Sequence, residues 1–368
     1  MKRKVVILVS DILIAALLLG GVYGVNYLIP QKGITTQTME AQAADGGAQS
    51  SAESEKSGTA GPGGEDTARE KQVQAMVDRS SNGLPTTKVS LDAQDWHQKF
   101  ADKFTDQVVS TDTSYSSPRV FVQITHDSYN TNRLDRTQGG KHEQYGTCIS
   151  YYLADIYVSD ITCLQTCFAQ NIYGVGHDER LADMSARLKS VLAVNGDSYS
   201  NSRHKDNVTI IRNGVIYRAQ KTDMETCVLN WDGTMKIYAP EELDTQQLVD
   251  SGAYQSWIFG PSLLDENGKA KASFRTWPYI TESHPRTAIG YYEPGHYCLP
   301  VVDGRQDSSR GMFLEEMAGL FEQLGCKAAY NLDGGHCSFM TLQGKVANHP
   351  YSPQHKVEDG IFIMEGLQ

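Results

Sequence analysis

The sequence predicts a single α/β (mixed α+β) domain at 119–368, with a mixed sheet and few helices. Short runs of β-branched and aromatic residues recur through this region, separated by Asn-Gly or Asp-Gly turns, which is typical of strands joined by hairpins. One segment, about 311–324, has the apolar spacing of an amphipathic helix, and Gly325 follows where a C-terminal cap belongs. The sequence has no internal repeat, which favours one domain.

The predicted strands are apolar or alternating runs bounded by turn residues. The run at 120–124 alternates, 149–158 is aromatic and β-branched, and 191–194 is apolar and ends at an Asn-Gly pair. Further strands are predicted at 208–212, 214–217, 226–231, 236–238, 257–259, 327–332, 338–343 and 360–364, and one opens within 284–290.

The N-terminus has the pattern of a membrane anchor. Three basic residues at 2–4 precede an apolar run at 5–29, whose part from 12 to 29 has 18 residues. A helix needs roughly 20 such residues to cross a bilayer, and preceding basic residues predict a cytoplasmic N-terminus. We therefore expect a transmembrane anchor at 1–30 in a single-pass protein of the cell membrane, with the remainder extracytoplasmic. A cleaved signal peptide is the alternative.

Between the anchor and the domain, 31–85 is rich in Gly, Ala, Ser, Thr and Glu and almost lacks large apolar residues. Such a segment cannot bury enough surface to fold, so we expect a flexible linker, with a weak helical pattern at 65–79. Residues 86–118 are expected to form a weakly structured lead-in segment that can dock on the main domain.

Composition fits a globular protein and argues against nucleic acid as a partner. Hydrophobic residues make up 40% and charged residues 21% of the chain, and the formal net charge is -11. Nucleic-acid binding requires a basic face, whereas a small anion needs only a few arginines that focus a local field. The seven cysteines contain no Cys-x-x-Cys pair, so most are expected to be buried thiols, and disulfides cannot be assigned.

Four clusters combine turn glycines with reactive side chains. The first, NGDSY at 195–199, is either a hairpin turn or a site in which Asn195 binds a sugar hydroxyl and Asp197 supplies a carboxylate. The second is HPRTAIG at 284–290. Its Arg286 is either a surface charge or a bidentate phosphate ligand, because the guanidinium fork matches phosphate oxygens.

The third cluster is VVDGR at 301–305, with Arg310 just before the predicted helix. Two arginines and a helix N-terminus together predict a phosphate cradle, and a capped helix with a solvated turn is the alternative. The fourth, NLDGGHCS at 331–338, is a short apolar run that ends in an acid, two glycines, a histidine and a serine. Glycines let a ligand approach the main chain there, so Asp333 is the leading candidate acid.

The order of these motifs is more specific than any one of them. AVNGD at 193–197, FGPSL at 259–263, HPRTAIG, VVDGR, the helix and NLDGG follow one another as in the phosphodiester glycosidase family, which the chain resembles over roughly 119–364. Two motifs depart from the family pattern. NGDSY stands where Asn-Gly-Gly and aromatics are frequent, and His336 and Cys337 stand at the third glycine and first serine of DGGGSS. The pocket must therefore be reshaped at His336.

The resemblance implies an exported, membrane-anchored hydrolase. It would cleave the glycosidic bond of an N-acetylglucosamine-1-phosphodiester-like substrate and release free sugar and a phosphomonoester. Phosphate is a weakly basic leaving group with a second pKa of about 6, so the demand for a strong general acid is low. Asp333 is assigned as base or nucleophile, and Asp197 or Asp303 as the group that supports the transition state or orients water. His336 would protonate the leaving oxygen, or serve structure or specificity.

The residues expected to bind substrate lie in the same four motifs. They are Asn195, Gly196, His284, Arg286, Thr287, Arg305, Asn331, Gly334, Gly335 and Ser338. The two arginines are assigned to the phosphate, with electrostatic stabilisation as their main role.

Two other functions fit the same residues. A metal-dependent phosphodiesterase would use the three acids and His336 as ligands, although no tight ligand signature is present, and no cofactor is otherwise indicated. A non-catalytic glycan-binding or exopolysaccharide-assembly protein of the cell envelope would bind without turnover. The sequence does not choose among wall polymers, phosphoglycans and capsule as the natural substrate.

Overall fold

The computed structural model describes residues 83–88, 95–134, 145–200, 208–220 and 222–365. The predicted anchor at 1–30, the helical pattern at 65–79 and nearly all of the linker at 31–85 lie outside these ranges. No helix within the ranges is both long and apolar enough to cross a bilayer.

Strands dominate the described part of the chain, as the short β-branched runs predict. In chain order they are β1 (Leu84–Pro85), β2 (Val109–Ser110), β3 (Ser114–Ser116), β4 (Val120–Asn130), β5 (Cys148–Val158), β6 (Leu164–Phe168), β7 (Leu192–Asn195), β8 (Thr209–Arg212), β9 (Val215–Ala219), β10 (Thr226–Asn230), β11 (Met235–Tyr238), β12 (Ala253–Trp257), β13 (Arg286–Glu293), β14 (His296–Val302), β15 (Ala328–Asn331), β16 (Met340–Leu342), β17 (Lys345–Val346) and β18 (Asp359–Ile363). The helices are α1 (Trp96–Lys99), α2 (Leu181–Leu188), α3 (Thr245–Asp250) and α4 (Leu314–Leu324).

The strands form four sheets. The largest has the order β15-β13-β14-β5-β4-β3-β2, the second has the order β17-β16-β7-β18-β6, and the two small sheets are β1-β9-β8 and β11-β10-β12. Each strand pair in the described part is antiparallel, so the expected mixed sheet is corrected to antiparallel sheets. Connectivity accounts for part of this result, because parallel pairing needs long crossovers that usually contain a helix, and consecutive strands such as β2–β3, β8–β9 and β13–β14 are joined by turns too short for one.

The main apolar core lies between the two large sheets, which makes them parts of one domain. Ile156 and Ile289 of the seven-stranded sheet and Val194 and Ile361 of the five-stranded sheet are fully buried in the same cluster. From Val120 to Ile124, in the first half of β4, burial alternates because only one face of the strand meets the core. Packing between sheets thus holds the strand ends that carry the motifs in place.

Helix α4 covers the other face of the seven-stranded sheet. There Met317 and Phe321 pack with strand residues that belong to a second apolar cluster and not to the main core. The helix begins at Leu314, later than predicted, because the N–H of the N-cap residue Phe313 donates to Glu316 Oε2 at 2.9 Å. Gly325 ends the helix with a φ of 76°, as the sequence predicts.

Two parts of the chain hold more structure than the sequence suggests. Helices α2 and α3 are too short for their apolar spacing to stand out from the surrounding strands. In the lead-in segment 86–118, β2 and β3 extend the seven-stranded sheet, and Trp96, Phe100 and Tyr115 join the main core.

Candidate active site

The sheet order brings three distant motifs together at one end of neighbouring strands in the seven-stranded sheet. Strand β13 begins at Arg286, β14 ends at Val302 and β15 ends at Asn331. Because the strands are antiparallel neighbours, Arg286 pairs with Val302, and Ala288 pairs with Asn331. The segments that follow β14 and β15 therefore emerge beside the start of β13.

A cavity of about 330 Å³ opens at this end of the strands. Its lining residues in the described part are Phe259, Tyr279, Ile280, His284, Pro285, Arg286, Arg305, Leu332, Asp333, Gly334, Gly335 and His336. The volume is near the lower end of the range for small-molecule sites, about 300–1,000 Å³. The structure thus places the two predicted phosphate arginines and the leading candidate acid around a common space.

Arg286 is a buried cation, only 3% exposed. Its Nε donates to the Met312 carbonyl at 2.9 Å, and its Nη2 donates to the carbonyls of Ile280, at 2.6 Å, and Glu282. Nη1 has no acceptor, and no carboxylate pairs with the guanidinium, among the residues that the structure describes. Burial and the charge of Arg305 lower the pKa of Arg286 to about 9, so it remains protonated at neutral pH.

Arg305 holds a second guanidinium at the cavity. Its backbone has a φ of 56°, a left-handed conformation that non-glycine residues seldom adopt. Nη1 donates to the Tyr351 hydroxyl at 2.5 Å, and Nη2 lies 3.3 Å from Nδ1 of His284. The guanidinium also packs closely against Gly335, where a Cβ would lie 3.3 Å from Nη2. Two like charges at one cavity favour an anionic ligand.

His284 connects Arg305 to the cavity wall. Because the guanidinium can only donate, Nδ1 of His284 accepts, which leaves the proton of the neutral ring on Nε2. Nε2 then donates to the Tyr279 carbonyl at 2.7 Å. The residue therefore orients an arginine in this structure, and its predicted contact with substrate stays a prediction.

The backbone of Asp333 is held from both sides. Its N–H donates to the Gly196 carbonyl at 3.1 Å, and its own carbonyl accepts from Asn195 Nδ2 at 2.6 Å. Its Oδ1 accepts the Gly334 N–H at 2.9 Å, which orients the carboxylate at the end of the loop. These contacts fix the acid at the cavity without covering it fully.

The two glycines after Asp333 allow the loop to pack against the start of β13. The Gly335 N–H donates to the Pro285 carbonyl at 2.9 Å. A Cβ on Gly334 would lie 2.7 Å from the same oxygen, which is too close for any other residue without a shift of the loop. The glycines thus set the approach of Asp333 to Arg286.

His336 is exposed at the cavity rim. Its ring lies 5.1 Å from that of Tyr351 and 5.0 Å from that of His355, measured between centroids. Burial and the charges of Arg305 and His355 lower its pKa, which favours the neutral ring at pH 7. Its side chain fills space that a third glycine would leave open.

The structure does not place Asp197 at the cavity, in contrast to its predicted role. Its side chain is 0% exposed and lies in a buried network with Arg212 and Asp359. Its carboxylate accepts the N–H groups of Ile258 and Phe259 and lies 3.3 Å from Arg212 Nη2. Burial raises its pKa, which Arg212 opposes. Because both oxygens of the Asp197 carboxylate are occupied by partners inside the protein, this residue stabilises the fold.

Asn195 is likewise occupied by the protein. It is 1% exposed, and its Oδ1 accepts from Thr287 Oγ1 at 2.6 Å and from the Phe339 N–H at 3.2 Å, while Nδ2 bonds to the Asp333 carbonyl. The predicted sugar contacts of Asn195 and Thr287 are therefore corrected to a tie between β7, β13 and the loop of Asp333. Gly196 completes the tie through its backbone.

Asp303 is 3% exposed and is not among the described residues that line the cavity. Its Oδ1 accepts from Asn348 Nδ2 at 2.9 Å and from the His349 N–H at 3.1 Å. Burial raises its pKa to about 6, although both hydrogen bonds oppose the shift. The carboxylate fastens the segment after β17, in contrast to the predicted contact with the reacting centre.

The remaining predicted residues lie beneath the cavity or beside it. Asn331 is 1% and Ser338 2% exposed, and neither lines the cavity. Asn331 Nδ2 donates to the Gly260 carbonyl at 2.8 Å. Arg310, expected to share a cradle with the helix N-terminus, instead pairs with Glu316 at 2.6 Å, and the same carboxylate caps the helix. The N-terminus of α4 is thus capped by Glu316, and neither this helix end nor Arg310 lines the cavity, so the cradle expectation is corrected.

Sequence reasoning missed Tyr279, Tyr351 and Glu358. Tyr279 lies in a short 3-10 helix, Pro278–Thr281, and Tyr351 lies in a loop, and neither belongs to a sequence motif, so no local signal distinguishes them. Glu358 lies just before β18, where its carboxylate accepts the Ser200 N–H at 2.9 Å and the Ser200 hydroxyl at 2.6 Å. Burial raises its pKa to about 7, with the charges of Asp359 and Asp333 acting in the same direction. The sequence signal that could have identified Glu358 is its position as an acid directly before a buried strand.

No group of three or more histidine, cysteine or acidic side chains in the described ranges has the arrangement of a metal site. The three acids named as ligands of the rival phosphodiesterase are separated, because Asp197 and Asp303 are each enclosed in their own hydrogen-bond network. Asp333 alone of the three lines the cavity.

Comparison with known proteins supports the motif order. Residues 189–364 match the protein family described as phosphodiester glycosidase, which confirms the resemblance over this part of the chain. The SPbeta prophage-derived uncharacterized protein YomE of Bacillus subtilis (strain 168) is 34% identical over 193 residues, 51% of this chain and 29% of that protein. Mouse N-acetylglucosamine-1-phosphodiester alpha-N-acetylglucosaminidase is 36% identical over 72 residues, 20% of this chain and 14% of that protein. The chain spans less than a third of the length of these curated relatives.

A solved structure shares the fold. The zebrafish N-acetylglucosamine-1-phosphodiester alpha-N-acetylglucosaminidase catalytic domain, auto-inhibited by pro-peptide, matches with a TM-score of 0.50 and 18% identity. The match covers 78% of this chain and 96% of that chain. At this identity the likeness concerns the fold alone.

Proposed function

We propose, from the match of residues 189–364 to phosphodiester glycosidases, that this protein hydrolyses the C1–O bond of a sugar-1-phosphodiester. Water adds to the sugar, and the phosphate leaves as a phosphomonoester. The observation that carries the proposal is the buried guanidinium of Arg286, which lacks an acidic partner in the described part and faces the same cavity as Arg305 and Asp333.

The arginines fit the phosphate end of such a substrate. A buried charge without a counter-ion is costly, and a bound phosphate would neutralise it. Three main-chain carbonyls hold the Arg286 guanidinium in place before any ligand arrives, and Tyr351 and His284 do the same for Arg305. Donors held in advance stabilise charge that develops on the leaving oxygen without reorganisation during the reaction.

Asp333 fits the sugar end. Its carboxylate lies in the same cavity, with its backbone tied on both sides. It would act as the base that activates water or as the nucleophile at C1, and the weak basicity of phosphate removes the need for a strong acid. His336 at the rim is then a residue that shapes the pocket, since its lowered pKa makes it a poor proton donor at neutral pH.

The sugar and the location of the enzyme extend the proposal. N-acetylglucosamine is the first sugar to test, because the name of the mouse relative specifies it. The basic and apolar N-terminal pattern favours a membrane-anchored enzyme with an extracytoplasmic domain. Its substrate would then be a phosphoglycan or another sugar-1-phosphodiester of the cell envelope.

The bond that breaks can be identified by isotope labelling. The purified full chain is incubated with an N-acetylglucosamine-1-phosphodiester in ¹⁸O-water, and both products are analysed by mass spectrometry. Label in the sugar is the expected result. Label in the phosphate would mean cleavage of the P–O bond, and the proposal would give way to a phosphodiesterase.

The role of Asp333 has its own test. Asp333→Asn keeps the size of the side chain and its acceptor for the Gly334 N–H, so the fold should be retained. We expect kcat to fall by roughly 10³-fold or more, as for removal of a catalytic carboxylate. Asp183→Asn, on the exposed surface of α2, is the matched control. Near-wild-type turnover by Asp333→Asn would remove this residue from the mechanism.

A further inference from the structure

Two of the seven cysteines contact each other in the interior. Cys298 lies on β14 and Cys326 directly after the cap of α4, and their Sγ atoms are 3.7 Å apart. Both side chains are buried, at 0% and 2% exposure. The other cysteines in hydrogen bonds approach oxygen atoms, as in the contact of Cys167 with Asn171 Oδ1 at 3.0 Å.

Both cysteines belong to the buried apolar cluster between α4 and the seven-stranded sheet. The Cys298 sulfur occupies the space above Gly290, where a Cβ would lie 2.6 Å from it. A disulfide has an S–S distance of about 2.05 Å, so the sulfurs need to close by roughly 1.7 Å, within reach of side-chain rotation.

We propose that Cys298 and Cys326 form a structural disulfide when the chain folds under oxidising conditions. The bond would join β14 to the C-terminal end of α4 and close a loop that contains Arg305. It goes beyond the proposed hydrolysis and does not depend on it. The extracytoplasmic location that we expect for this domain is a compartment in which such bonds persist.

The chemistry is thiol–disulfide exchange with a disulfide oxidant, either a low-molecular-weight disulfide or an oxidoreductase. One protein thiolate attacks the oxidant, forms a mixed disulfide and releases one oxidant thiol. The second protein thiolate then attacks the protein sulfur of the mixed disulfide and releases the other oxidant thiol. The two cysteines lose two protons and two electrons, and the oxidant takes up both.

The order of folding and oxidation follows from burial. Only the thiolate reacts, and burial raises the pKa of the Cys298 thiol well above its usual value in the folded chain. The oxidant also cannot reach a fully buried sulfur. The bond should therefore form before the cysteines are enclosed, and the folded, reduced protein should resist the same oxidant.

The test compares two treatments of the full chain. One sample is refolded from denaturant in a buffer with oxidised and reduced glutathione, and the other is folded under reducing conditions and then exposed to that buffer. Free thiols are alkylated, and the proteolytic peptides are mapped by mass spectrometry. We expect a peptide that joins Cys298 to Cys326 in the first sample and seven alkylated cysteines in the second.

Variants connect the bond to stability. The loop between the two positions is long, so the oxidised wild type should unfold roughly 5–10 °C above its reduced form. Cys326→Ala should abolish this difference, and Cys148→Ser, on a half-buried residue outside the pair, should keep it. If a variant fails to fold, the wild-type peptide map still decides the question. Seven alkylated cysteines after oxidative refolding, or a bond between any other pair, would overturn the proposal.

Discussion

Replacing Arg286 by methionine should remove anion binding while largely preserving the fold. The substitution leaves the carbonyls of Met312, Ile280 and Glu282 without their donor, at a cost of about 1 kcal/mol each where water cannot replace it. It also removes a buried charge without an acidic partner in the described part, whose desolvation costs several kcal/mol. The two effects oppose each other, so we expect the free energy of unfolding to change by no more than about 2 kcal/mol.

The loss should appear in stabilisation by a phosphomonoester. A ligand present at 100 times its Kd stabilises the folded state by about 2.7 kcal/mol, which raises the unfolding midpoint by roughly 5–10 °C in a domain of this size. Loss of a charge-assisted hydrogen bond costs about 1.5–3 kcal/mol of affinity, a factor of roughly 10–150. The same ligand concentration should then stabilise Arg286→Met by only about 1.4 kcal/mol or less.

The assay is thermal unfolding of both proteins across a methyl phosphate titration. Arg180→Met removes an exposed arginine that pairs with Asp183, and it should behave as the wild type does. The reasoning fails if Arg286→Met keeps the full rise in midpoint. It also fails if the wild type shows no rise at concentrations at which phosphomonoesters inhibit turnover.

Three further changes probe the elements behind the cavity. Asn195→Ala removes the hydrogen bonds that connect Asn195 to Asp333, Thr287 and Phe339. We expect the free energy of unfolding in urea to fall by on the order of 3 kcal/mol and kcat to decrease. An unchanged kcat would show that these hydrogen bonds do not affect catalysis. Asp359→Ala leaves Arg212 short of its closest carboxylate, so the unfolding free energy should fall by about 3–5 kcal/mol, and a loss below 1 kcal/mol would contradict the buried network. In the wild type the pKa of Glu358 rises from 4.5 to about 7 on folding, so its contribution to stability is present at low pH and lost as pH rises through that window. Glu358→Gln should flatten this dependence in unfolding measured between pH 4.5 and 7.5, and an unchanged slope would exclude it as the source.

The fold was predictable where local pattern and packing agree. The strands at 149–158 and 360–364 are runs of apolar, β-branched or aromatic residues, and the helix with its glycine cap has the apolar spacing that its buried face requires. Strand direction was not predictable, because an apolar run reads alike in parallel and antiparallel sheets. Helix α3 has six residues, too few for two full turns, and its periodicity cannot be separated from that of a strand.

For the site, a motif indicates which residues come together and says less about where each side chain points. Arg286, Arg305 and Asp333 meet at one cavity because their strands are neighbours. Asp197 and Asp303 have the same local pattern of an acid beside a glycine after a strand, yet both are enclosed. Their burial depends on partners elsewhere in the chain, such as Arg212, Asp359 and Asn348. The local sequence around each acid does not indicate those contacts.

The backbone of Gly196 connects the reactive loop to the protein interior. Its carbonyl accepts from the Asp333 N–H and its own N–H donates to the Asp359 carbonyl, each at 3.1 Å, while the Asp359 carboxylate binds Arg212. A substitution of Arg212 would therefore displace the Asp333 loop through Asp359 and Gly196, although Arg212 does not line the cavity. A genetic screen for inactive enzymes should therefore recover substitutions of Arg212 as well as substitutions of cavity residues. The Arg212 variants should be distinguished by a lower protein abundance and not by a lower affinity for substrate.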